Sequence, residues 1–132
     1  MFRYSICDPL KPEPVEMGTI EKDEIIDILN NFPWLELLKS MVGASEDDIY
    51  FSPSIEFENQ INRHGIAISM VDESEYYIFY KRPKQVSKFF GLTKYFDDNY
   101  LSDRMNQSLE DGKQALIALI NDDLDTLERK WG

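Results

Sequence analysis

His64 is the only histidine and Cys7 the only cysteine in this 132-residue chain. An imidazole titrates near neutrality and is the usual general base; a thiolate held beside one is a nucleophile. His64 sits in Asn62-Arg63-His64-Gly65, a turn-forming run. Nothing around Cys7 brings a base to its sulfur, so it reads as a small buried hydrophobe. One histidine and one cysteine make no zinc site without several carboxylates beside them.

The carboxylates come in clusters: Glu46-Asp47-Asp48, Asp97-Asp98, and Asp122-Asp123 with Asp125. Such groups suit magnesium or calcium when they converge. Asp97-x-Asn99 begins like a calcium loop, but Leu101 takes the fifth position, Ser108 the twelfth, and the required glycine is missing. On a helix, Asp122, Asp123 and Asp125 would point apart. There is no phosphate-binding glycine loop, no Gly-x-Ser-x-Gly and no two-histidine zinc motif. The expectation is therefore no cofactor, no metal and no catalytic residue.

Charge is distributed unevenly. From Lys81 to Lys94 the chain carries Lys81, Arg82, Lys84, Lys88 and Lys94 and no acid; the rest holds 25 acids against 9 bases, and the whole chain has a net charge of −11. The stretch also interleaves Phe89, Phe90 and Leu92, with Tyr95 and Phe96 just beyond. Basic and aromatic residues together can bind nucleic acid or a membrane surface, but the acidic body would repel a long polyanion. Two readings are left. Either the lysines screen nearby carboxylates while the phenylalanines pin a loop, or Lys81, Arg82, Lys84 and Lys88 form an anion or self-contact surface, for instance in a homodimer.

The elements that must position these residues follow from periodicity. Phe2 to Ile6 alternates weakly, as a short strand does. Pro9, Pro12 and Pro14 make an extended connection. Thr19 reads as a helix N-cap with acids in the first turn, followed by Ile25, Ile28, Leu29 and Phe32 at helical spacing. Pro33 ends that helix and opens a second, with Trp34, Leu37, Leu38 and Met41 on one face and Gly43 at its C-terminus. Residues 49–57 alternate strictly. Ile49, Phe51, Ile55 and Phe57 should face the core, and Glu56 and Glu58 the solvent. Pro53 would mark that strand as an edge or bulged strand. Ile66–Val71 and Tyr76–Lys81 form a further strand pair, with Ile68 opposite Phe79 and Met70 opposite Tyr77. Both faces of that pair are apolar enough to be covered. A long C-terminal helix begins at Ser102 or Ser108; Ser108 with Asp111 approximates a capping box. Gly112 should weaken its first turns by about 1 kcal/mol relative to alanine. Leu109, Leu116, Ile120, Leu127 and Trp131 form its stripe.

The expected fold is α+β, a single globular domain over residues 1–132. An antiparallel meander over about residues 48–82, joined by an N-terminal strand, packs against two short N-terminal helices and a long C-terminal one. Hydrophobic residues at 42% supply a core without metal or disulfide. No run approaches the roughly 20 apolar residues of a membrane span, the first residues do not read as a secretory signal, and one cysteine permits no internal disulfide. The chain reads as a cytoplasmic, soluble protein.

In size, acidity and α+β order the chain resembles small immunity or inhibitor proteins that neutralise toxins. That resemblance implies an acidic surface for a basic protein partner and assigns no residues. The residues themselves suggest one: Tyr50, Glu56 and Glu58 on the solvent face of the first meander strand, with Glu73 and Glu75 near the following turn. Acidic complementarity speeds association, and tyrosine supplies contact area at low entropic cost. The alternatives are a small carboxylate enzyme, with or without magnesium, and a self-associating structural protein.

Overall fold

A computed structural model describes residues 1–88, 91 and 93–132, with the backbone only at Lys88. Phe89, Phe90 and Leu92 lie outside the described residues; Phe96, which one reading has pinning the loop to the core together with Phe89 and Phe90, is 65% exposed and does not do so. The fold is α+β. Among the described residues six strands, β1 (Phe2–Cys7), β2 (Val15–Ile20), β3 (Ser54–Asn59), β4 (Gly65–Met70), β5 (Tyr76–Lys88) and β6 (Thr93–Gln107), form one antiparallel sheet. Its spatial order is β2-β1-β3-β4-β5-β6. The described residues also form four α-helices, α1 (Ile25–Asn31), α2 (Trp34–Val42), α3 (Leu109–Ile120) and α4 (Leu124–Trp131).

Period-two alternation sets the core. Ile55 and Phe57 of β3, Ile66, Ile68 and Met70 of β4, and Tyr76, Ile78 and Tyr80 of β5 are all buried on one face. The helices cover that face. Ile25 and Leu29 of α1, Leu116 and Leu119 of α3, and Leu127 and Trp131 of α4 complete the core. α3 is started by the capping box: the Ser108 hydroxyl accepts from the Asp111 amide, and the Asp111 carboxylate accepts from the Ser108 amide.

Several sequence expectations need correction. The helix expected from Thr19 starts later. Thr19 lies within β2, opposite Arg3, and a 3-10 turn at Lys22–Glu24 leads into α1. The alternation from Ile49 does not make one strand from end to end. Glu46–Asp48 form a 3-10 turn and β3 begins only at Ser54, because Pro53 can offer no amide to a ladder. Ile49 and Phe51 are consequently half-buried, whereas Ile55 and Phe57 are fully so. β3 is not an edge strand, since β1 pairs along its other side. The Pro53 carbonyl still accepts from the Met70 amide.

β4 and β5 pair one residue away from the expected register, with Ile68 opposite Ile78 and Met70 opposite Tyr76. Asp72 is the cause. Its carboxylate accepts from the amides of Ser74 and Glu75 and from the Ser74 hydroxyl, closing a five-residue connection instead of a four-residue one. The shift puts Tyr77 and Phe79 on the other face, where the pair is half-exposed, not covered on two sides. The basic stretch is strand on both sides of a turn at Gly91, which has φ +87°. β5 runs 13 residues and β6 returns over 15. Finally, the long C-terminal helix is two helices. Asp122 adopts φ +52°, and Asp123 caps α4 by accepting from the Thr126 amide.

Candidate partner-binding surface

The open face of the sheet holds Glu56 and Glu58. Both are tied down there. Lys81 Nζ donates to Glu56 at 3.0 Å and to Glu58 at 2.9 Å, and Arg63 reaches Glu58 at 2.6 Å. β3 and β5 flank β4, so these partners meet across one intervening strand. With Arg3 and Glu16, paired at 3.0 Å, they line a polar trough of about 400 Å³ in which three cations face three carboxylates. The Glu58 carboxyl is partly desolvated, which alone would raise its pKa, yet its bonds to Lys81 and Arg63 leave it below the usual carboxylate range. Glu58 is 15% exposed. This pair is a neutralised ladder, not a free acidic patch.

Glu73 and Glu75 lie elsewhere. Their turn follows Met70, at the Ser54 end of β3, whereas Glu58 stands at the opposite end, beside Gly65. Tyr50 is at that Ser54 end too, half-exposed, with its amide bonded to the Pro9 carbonyl. The fold thus separates Glu56 and Glu58 from Glu73 and Glu75.

Glu73 instead borders an apolar groove of about 410 Å³. Pro33 separates α1 from α2 and turns Phe32 and Trp34 toward each other, edge to face at 4.5 Å. Trp34 meets Tyr76, the first residue of β5, edge-on at 5.3 Å. Leu35 and Leu109 complete the walls, and Glu36 joins Glu73 at the rim. Leu35 is 52% exposed. The indole N–H of Trp34 is buried without an acceptor. Sequence reasoning passed over Leu35, Glu36 and Leu109 as site residues. The available signal was that Leu35 and Glu36 fall off the apolar face formed by Trp34, Leu37, Leu38 and Met41.

Of the described cations of the basic stretch, Arg82 is turned inward, Lys81 and Lys84 are half-buried and Lys94 is exposed. Arg82, 2% exposed, stacks over Tyr80 at 4.4 Å and Tyr100 at 4.7 Å. It donates to Glu128 of α4 at 2.9 Å, and Lys84 donates to the same carboxylate at 2.7 Å. Next to it the Tyr80 hydroxyl meets His64 Nδ1 at 2.6 Å. Burial pushes the Tyr80 phenol up to about 12. Burial, and then Arg82, lowers the imidazole pKa. His64 is thus tied to the sheet through Tyr80, next to the Arg82–Glu128 contact that joins sheet and helix. Cys7 pairs in register with Ser54, at the other end of the sheet from His64, and burial, then Glu56, raises its thiol.

Among the described residues no three His, Cys, Asp or Glu side chains converge as a metal ion would need. No described helix is long and apolar enough to cross a membrane. Comparison with protein-family models, with characterised proteins and with solved structures found no match.

Proposed function

We propose that this chain is a non-enzymatic, acidic protein-binding module that neutralises a basic partner such as a toxin, as immunity and inhibitor proteins do. The observation that carries the reading is where its positive charge goes. Lys81, Arg82 and Lys84 are engaged by Glu56, Glu58 and Glu128, so these three cations are committed to contacts within the fold while the chain as a whole keeps a net charge of −11. Asp27 of α1 and Glu46, Asp47 and Asp48 of the 3-10 turn have no ion-pair partner among the described residues. A surface of one sign steers a partner of the other sign. A cytoplasmic setting suits the single cysteine.

The test is association with the basic protein captured from the native cell, followed in real time at low and high ionic strength. A rate that falls steeply with salt supports the module. An association that ignores salt, or a captured partner that is itself acidic, defeats it. The solution mass of the chain alone tells monomer from homodimer.

A further inference from the structure

We propose that the groove between the α1–α2 junction and the β4–β5 turn is the anchor point for that basic partner. Its occupant is a protein segment in which an apolar side chain stands next to an arginine or lysine. This inference rests on the reading above and gives it a location.

Four features converge there. The floor is preorganised, because Phe32, Trp34 and Tyr76 form an edge-to-face chain that joins the helix pair to the sheet. Rigid aromatic floors of this kind make the central pockets in which binding energy concentrates. Leu35 is 52% exposed on the wall of the groove. The buried Trp34 N–H has no acceptor among the described residues, so the indole holding the floor is without a polar tether and its N–H signal is free to report on an occupant. The rim carries Glu36 and Glu73. Neither has an ion pair among the described residues, and Lys39, one turn along α2, reaches neither. Glu73 is also held in place, because Asp72 closes the turn that presents it.

An apolar floor with carboxylate lips matches a side chain that has an apolar stem and a cationic head, or two neighbouring residues that share those properties. It disfavours an acidic segment, which would face Glu36 and Glu73 at close range. It also disfavours a second copy, whose net charge is −11 and whose Lys81, Arg82 and Lys84 are occupied.

The experiment is an amide and indole NMR titration of the whole chain with three capped dipeptides: acetyl-Leu-Arg-amide, acetyl-Leu-Glu-amide and acetyl-Gly-Arg-amide. The two indole N–H signals separate the sites, since Trp131 donates to Gln107 on the α4 side. The leucyl-arginine peptide should move the Trp34 indole and the Leu35 and Glu36 amides saturably and leave Trp131 still. The other two peptides should bind more weakly, by roughly tenfold, the weight of about 1.4 kcal/mol. The double variant Glu36→Lys, Glu73→Lys changes exposed side chains only and should melt with the parent while losing about the same tenfold. Equal binding of all three peptides, no saturable shift, or shifts centred near Glu128 would overturn the site. Shifts at the groove that grow with protein concentration alone would assign it to a second copy and overturn it as well. If the double variant still associates with the captured partner at the parental, salt-dependent rate, the groove is wrong and the acidic module stands. If the peptide binds but no salt-dependent protein association exists, the module reading falls and the groove remains a local site.

Discussion

Arg82 and Glu128 lie 46 residues apart in the chain and 2.9 Å apart in the fold, and their contact joins β5 to α4. The arginine is 2% exposed and the glutamate side chain 45%. A buried guanidinium must be compensated, and this one also donates to the Tyr80 carbonyl and to Ser102 Oγ, while its Nε finds no acceptor. Glu128→Gln should therefore destabilise the chain by about 1–3 kcal/mol, less than for a fully buried pair because Glu128 is half in water. Arg82→Met should cost less, since it removes the charge that needs compensation. Urea denaturation of both variants checks this; a Glu128→Gln midpoint equal to the parent's would show the contact to be silent.

The single histidine makes a clean pH experiment. Its folded pKa is lowered by burial and by Arg82, so as pH falls the unfolded chain takes the proton first. The contribution of His64 is fully present above the free imidazole value of about 6.5 and is lost as pH drops below it. Urea midpoints at about pH 7.5 and about pH 5.5 should differ in that direction, and the difference should shrink in His64→Asn. A parent protein more stable at the lower pH would contradict the sign.

Gly112 was expected to weaken α3, but it has a packing reason. A Cβ there would stand 2.8 Å from Ile68 Cδ1, and Ile68 is fully buried. Gly112→Ala should gain about 1 kcal/mol of helix propensity and lose about 1–3 kcal/mol to overpacking, for a net loss of up to about 2 kcal/mol. In an Ile68→Val background the same change should become neutral or stabilising. Thermal melts of the four-member cycle decide it.

Reversing Glu56 and Glu58 to lysine would appear harmless if both faced water. The structure gives a different expectation. The new ammonium groups would meet Lys81 and Arg63 on the open face of the sheet. The double variant should lose about 1–3 kcal/mol, read from its urea midpoint. Association kinetics measured on it would mix folding with binding, which is why Glu36 and Glu73 are the better probes of charge.

Burial separates two phenylalanines that the alternation placed together. Phe57 is fully buried in β3 and stacks on Tyr4 at 5.6 Å; Phe51 is half-buried before the strand begins. Phe57→Ala should cost about 3–5 kcal/mol, and Phe51→Ala about half that or less. Matching losses in a denaturant series would place the strand start earlier than Ser54.

What the sequence determined by itself is local. The Ser108–Asp111 capping box, the strand at Phe2–Cys7, the burial of Ile55 and Phe57, the break at Pro33 and the Gly43 terminus all follow from bonds and periodicities spanning a few residues. The α+β class follows from their order. Which residue lies opposite which is set by tertiary contacts. Both faces of the β4–β5 pair carry apolar side chains, so alternation could not choose the register, and the Asp72 turn chose it. The Leu116, Ile120, Leu127 and Trp131 stripe reads the same with or without a break, so the turn at Asp122 stayed hidden. There Asn62 holds the Asp122 carboxylate from 60 residues away. β6 has few apolar residues and exists because β5 pairs with it. Charge was the least legible of all. A run of lysines and arginine looks the same in sequence whether it faces solvent or, like Lys81, Arg82 and Lys84, meets carboxylates that only folding brings within 3.0 Å.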